Sequence, residues 1–221
     1  VNVEVNDNIF VKGNIDMSGV LADIQIDRAL SFLAEGTINL RSIAAAGRLL
    51  SDADGNTETL FIDTGDTVSL GGKVTLGNVG PASSNAGDQF VNLSFGQNLQ
   101  DDALGLSGTM NFDAATPVAS FDVRVVNQVI LETSVNGIGT TINTSNGNVL
   151  FDGTPINATT AGIETLTIDA GSGTVDLDLV GSDQFVGDSA DNLIEIAGVA
   201  LGGLNITSGL VRAAANILTD N

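Results

Sequence analysis

Cysteine and histidine are both absent from the 221 residues. Their absence excludes a disulfide, a thiolate zinc site, an imidazole base and a Ser-His-Asp triad. Tryptophan and tyrosine are missing too, which leaves nine Phe as the only aromatics. A core must then be assembled from Val, Ile, Leu and Ala, which suits thin layered β structure better than a bulky globule. Cations are scarce: seven Lys and Arg stand against 27 Asp and Glu, for a formal net charge of −20. The seven are Lys12, Arg28, Arg41, Arg48, Lys73, Arg124 and Arg212, and they form no cluster. Binding of nucleic acid or of an anionic membrane surface is therefore disfavoured. No apolar run reaches spanning length, so membrane insertion is not expected. No leader pattern is visible, and Val1 already sits inside a strand pattern, so the chain reads as a segment of something longer. A secreted protein of this size without cysteine points to bacterial or archaeal export rather than to a small disulfide scaffold.

What is abundant is hydrophobic β formers and turn residues. At 43% hydrophobic the chain is not disordered by composition, and 27 glycines imply many turns. Short β-rich runs recur from Val1–Val5 and Ile9–Lys12 through Lys73–Leu76, Thr140–Asn143 and Thr174–Leu179 to Leu204–Thr207. Gly, Asn, Asp or Ser mostly separate them. The one candidate helix is Asp27–Ala34, where Ala29, Leu30, Leu33 and Ala34 share a face and Gly36 would end it.

Two stretches repeat one another. Glu58, Thr59, Leu60, Ile62, Asp63 and Gly65 match Glu164, Thr165, Leu166, Ile168, Asp169 and Gly171 at one constant offset. Thr37-Ile38-Asn39 matches Thr141-Ile142-Asn143, and Asp88-Gln89-Phe90-Val91 matches Asp183-Gln184-Phe185-Val186. Such a repeat predicts two diverged modules, residues 1–100 and 101–221, continuous with each other and meeting near 98–104. The expected fold class is all-β, in one of two architectures. The first is a right-handed parallel β-solenoid (β-helix) of about 20 residues per coil, whose ten or so coils would rise roughly 50 Å. The second is two tandem antiparallel β-sandwich domains. For the solenoid, the inward stack would include Leu60, Ile62, Val68, Leu70, Val149, Phe151, Leu166, Ile168, Val175 and Leu177.

Gly147-Asn148-Val149-Leu150-Phe151-Asp152-Gly153, the stretch Ile163 to Gly171, and Gly173-Thr174-Val175-Asp176-Leu177 resemble the repeats of filamentous-haemagglutinin-like giant exoproteins. Ser182 to Gly187 is similar to that family's NDF-x-G element, with Ser182 and Gln184 as departures. The resemblance is best over residues 140–210, weaker over 58–95 and poor over 1–36. It implies a right-handed parallel β-helix exported to the cell surface, where it acts as a fibrous adhesin or contact stalk. The expected role is a non-enzymatic structural or adhesive segment, stacked end to end with flanking repeats or identical copies. The sequence names no ligand for its flanks. A β-helical polysaccharide lyase or hydrolase is the competing class.

Few residues suggest chemistry. Asp52, Asp54, Asn56 and Glu58, with Asp63 at the twelfth place, put oxygen ligands at the alternate positions a calcium loop needs. Thr57 stands where the sharp-turn Gly belongs, and an acidic hairpin turn explains the same residues. Ca²⁺ is thus the one cofactor to test. Gly187 to Leu193 is a faint copy of a calcium-binding nonapeptide, which works only as an array. Asp101-Asp102 and Asp176/Asp178 are the close acid pairs outside the turn motifs. Asp176 and Asp178 alternate with Val175, Leu177 and Leu179, which makes them the solvent face of a half-buried strand. No catalytic residue is assigned. The sequons at Asn92, Asn143, Asn157 and Asn205 matter only in a eukaryotic secretory route.

Overall fold

A computed structural model describes residues 2–41, 46–51, 59–64, 73–80, 92–95, 103–107, 109–111, 118–120, 128–132, 139–144, 146–151, 154–177, 179–181, 184–187, 193–213 and 217–219. Among these residues there are strands and no helix. The strands come in threes: β1 (Val3–Val5), β2 (Ile9–Val11), β3 (Ile15–Asp16); then β4 (Ile24–Ile26), β5 (Leu30–Ala34), β6 (Ile38–Asn39). The next triplets are β7 (Arg48–Ser51), β8 (Thr59–Thr64), β9 (Lys73–Leu76), and β10 (Asn78–Val79), β11 (Asn92–Phe95), β12 (Ala103–Leu106). They are followed by β13 (Thr109–Asn111), β14 (Val118–Ser120), β15 (Gln128–Leu131), and by β16 (Thr140–Asn143), β17 (Asn148–Leu150), β18 (Ile156–Ala158). The chain ends with β19 (Thr165–Asp169), β20 (Thr174–Leu177), a hairpin of β21 (Gln184–Gly187) and β22 (Leu193–Ile196), then β23 (Gly203–Thr207) and β24 (Leu210–Ala213).

Strand order follows from those triplets. The first strand of each joins an eight-stranded sheet, β1-β4-β7-β10-β13-β16-β19-β23. The third strands form a six-stranded sheet from β3 to β18. The second strands form two four-stranded sheets, β2-β5-β8-β11 and β14-β17-β20-β24. All pairings in these four sheets are parallel, and the hairpin β21/β22 is the one antiparallel pair among the described strands. Antiparallel sandwiches have no such pairing, so the tandem-sandwich alternative is excluded.

The core lies between the sheets. Ile24, Leu49, Val79, Met110, Ile142 and Ile168 stand in register on successive strands of the eight-stranded sheet and are buried. Side chains from the other sheets, among them Phe32, Ile62, Leu106, Val149 and Phe151, complete one continuous apolar cluster. Each fully buried aliphatic or Phe side chain contributes about 1.5–3 kcal/mol, and this column is the main source of stability. Of the expected inward stack, Leu60, Ile62, Val149, Phe151, Leu166, Ile168, Val175 and Leu177 are buried. Val68 and Leu70 lie outside the described residues.

Three expectations need correction. Asp27–Ala34 is not a helix: Leu30, Phe32 and Ala34 are buried at alternate positions, and β5 pairs on both edges with β2 and β8. Parallel pairing overrides the weak local helical spacing. The repeat length is not about 20 residues. Bonds between adjacent units span 23 residues from Asn8 to Ser31, 32 from Asn111 to Asn143 and 26 from Asn148 to Thr174. The surplus enters the links between strands, where added length costs little. Eight parallel strands then rise roughly 35 Å rather than 50 Å. Finally, the matched sequences do not occupy matched places. Leu60 and Ile62 lie on β8 in a four-stranded sheet, whereas Leu166 and Ile168 lie on β19 in the eight-stranded sheet. Near the expected module boundary, β12 pairs with both β9 and β15.

Candidate interaction surfaces

Asp52, Asp54, Asn56 and Glu58 lie outside the described residues, and Asp63 is placed only by its backbone, opposite Leu33 on β5. Among the described residues no group of three Asp or Glu is placed to hold a metal ion. In the second calcium-like stretch, 188–192 lies outside the described residues, between the two hairpin strands. Asp176 is half-buried on β20 between Leu150 and Arg212 of the neighbouring strands. Asp178, Asp101 and Asp102 lie outside the described residues.

Asparagine does a different task from ligand binding here. The Asn8 and Asn14 side-chain oxygens accept hydrogen bonds from the backbone N–H of Ser31 and Thr37, both at 2.8 Å, on the next unit. Asp23 accepts from Arg48 N at 2.9 Å, Asn146 from Ser172 N at 3.0 Å and Asn148 from Thr174 N at 2.9 Å. Where the chain leaves one sheet for another, an N–H loses its ladder partner, and a short side chain from the preceding unit replaces it. The Arg48 guanidinium extends the same pattern, donating from Nε to the Gly80 carbonyl and from Nη2 to the Val79 carbonyl at 3.1 Å. Burial lowers the pKa of Arg48, opposed by the nearby Asp23 carboxylate. Gly80 sits at φ +70°, and a Cβ there would overlap the Asn111 carbonyl, so only glycine fits this turn.

The outer face of the eight-stranded sheet is a polar grid. One row runs Thr141, Thr167, Asn205 and a second runs Asn143, Asp169, Thr207, with strand neighbours in register. Asn143 Nδ2 donates to Asn111 Oδ1 at 2.7 Å along the second row. The second row includes the Asp169 carboxylate, and the first continues through Thr109 and Asn78 to Arg48.

The two ends of the stack differ from its flanks. Among the described residues, β1 pairs with β4 and β23 with β19, at the two margins of the long sheet. Residues that continue the core are exposed there. Val3 aligns with buried Ile24, and Val211 with buried Val175, yet Val211 is 46% exposed. Phe10 is 63% exposed on β2, and Leu210, Ile217 and Leu218 are exposed at the other end. Residues 203–221 hold Arg212 against Asp220, and residues 2–16 hold Lys12 against Glu4, Asp7 and Asp16. The signal in the sequence is Leu210-Val211 and Phe10-Val11, apolar neighbours that break the alternation of a half-buried strand.

No helix among the described residues is long and apolar enough to cross a membrane. No family model, no curated protein and no solved structure matches this chain.

Proposed function

We propose that the chain is part of a right-handed parallel β-solenoid and serves as a non-enzymatic structural or adhesive segment of a large bacterial surface or fibre-forming protein. The observation that carries this reading is the return of the chain to the same sheet every third strand from β1 to β19, with parallel neighbours along that sheet. That arrangement builds a rigid rod whose length grows with each added unit. The likeness of residues 140–210 to giant exoprotein repeats supports a place outside the cell, and the net charge of −20 supports solubility there. Binding loops between strands would face host, prey or matrix surfaces, while the ends meet further solenoid units.

The test is turnover on a panel of acidic and neutral polysaccharides, run beside imaging of the purified chain. The reading expects thin rods and no saturable turnover. Robust turnover abolished by one carboxylate substitution would replace it with a β-helical carbohydrate-active enzyme.

A further inference from the structure

We propose that Asn146-Gly147, in the turn between β16 and β17, is a latent deamidation site held closed by its contacts with the next unit. Asn-Gly occurs twice in the chain, here and at Asn136-Gly137, which lies outside the described residues. The pair invites the reaction because glycine has no side chain to shield its nitrogen. The Gly147 nitrogen gives its proton to solvent base and attacks Asn146 Cγ. A C–N bond forms, the Cγ–Nδ2 bond breaks and ammonia leaves. Water then opens the cyclic imide at either carbonyl, giving aspartate or isoaspartate. Asn146 is exposed, so water reaches it. A labile residue stands here for a conformational reason. Asn146 is the one non-glycine residue at positive φ among the described residues, at 95°, a region that asparagine tolerates better than most side chains.

The folded turn opposes the attack at each reacting group. Gly147 N–H donates to the Thr144 carbonyl at 2.9 Å, and Thr144 Oγ1 donates to the Gly147 carbonyl at 2.7 Å. The nucleophilic nitrogen is therefore engaged and its chain direction fixed. Asn146 Oδ1 accepts from Ser172 N at 3.0 Å and from Ser172 Oγ at 3.2 Å. Attack on Cγ moves that oxygen, so both bonds to the next unit must give way first. Reaction thus requires a local opening between the two units. The isoaspartate product does not fit the closed stack either, because it routes the main chain through the side-chain carbon and lengthens the turn. A Cβ on Gly171 would already overlap Asn146 Oδ1, and one on Gly173 the Gly147 carbonyl. A longer turn has no room against these two glycines, so the modified chain must part β17 from β20 at this corner.

The native chain is incubated in mildly alkaline buffer, folded and in urea, and the peptide holding Asn146 is followed by mass spectrometry. In urea Asn146 should react as fast as Asn136, its internal standard. In the folded chain it should react at least about tenfold more slowly, since only the opened turn reacts. Ser172→Ala removes the hydroxyl donor and keeps the N–H, and should raise the folded-state rate about threefold to fivefold, the effect of one lost hydrogen bond. Thr144→Val removes the hydroxyl bond on the other side of the turn and should act in the same direction. Circular dichroism at the incubation temperature confirms that each variant is folded. Chains converted to isoaspartate at position 146 should melt at a lower temperature than unconverted ones. Equal rates at Asn146 with and without urea would overturn the inference. So would a native folded-state rate in both variants.

Discussion

Single side chains decide whether the corners of this fold hold. Asn14 accepts from Thr37 N across units, and Gly36 leaves room for its oxygen. Asn14→Ala should cost about 0.5–1.5 kcal/mol, the net worth of one such bond. Urea unfolding of both chains measures it, and Asn14→Asp, which keeps the acceptor, should recover most of the loss. Asp16 offers a second reading at this scale. Hydrogen bonds from Ser18, side chain first and backbone N–H second at 2.9 Å, hold its carboxyl below the ordinary value. A depressed folded-state pKa adds stability above the unfolded pKa and loses it as pH falls through the folded one. Ser18→Ala should move the Asp16 titration up toward the ordinary carboxylate range while the backbone bond keeps part of the shift. Carboxyl NMR against pH reads this directly, and an unmoved midpoint would remove the Ser18 hydroxyl as the main cause. The high Asn and Asp content was plain in the sequence as turn chemistry. Its use across units was not, because the acceptor and the N–H it serves lie 23 to 26 residues apart.

Elements are where local and tertiary signals compete. β19 and β20 were legible because Leu166, Ile168, Val175 and Leu177 alternate with polar residues. β5 was misread because Leu-Ser-Phe-Leu-Ala offers both a helical face and an alternating one, and only pairing with β2 and β8 chooses. Short strands such as Ile15–Asp16 and Asn78–Val79 carry too few residues to show any period, and their existence depends on neighbours. Phe32→Ala should cost about 3–5 kcal/mol, as a buried aromatic lost from a strand paired on both edges. The unfolding midpoint checks it, and a loss under about 1 kcal/mol would place Phe32 outside the packed core. The stretch of sequence between β7 and β8 carries Asp52, Asp54, Asn56 and Glu58. If it closes on Ca²⁺, thermal unfolding in calcium against EDTA should show a higher midpoint that Asp54→Ala abolishes. Equal midpoints reduce it to an acidic turn, and a shift that survives Asp54→Ala places the ion elsewhere.

On the scale of the whole molecule, the all-β class followed from composition, and the presence of an internal repeat was visible, but its spatial meaning was not. Leu60 and Leu166 share a sequence context and lie on different sheets, because inward β positions have similar chemistry on every face. Parallel order of the strands is the claim on which the proposed role depends. Pairs of cysteines across β16 and β19 test it. Parallel register places Thr141 opposite Thr167 and Asn143 opposite Asp169, all on the outer face. Directly opposed pairs sit about 4.8 Å apart and diagonal ones about 8 Å, beyond disulfide reach. Oxidation should therefore join Thr141→Cys to Thr167→Cys, and Asn143→Cys to Asp169→Cys, within one chain, while the crossed pairs 141 with 169 and 143 with 167 stay reduced. Closure of the crossed pairs with the direct pairs open would mean antiparallel strands and would contradict the account.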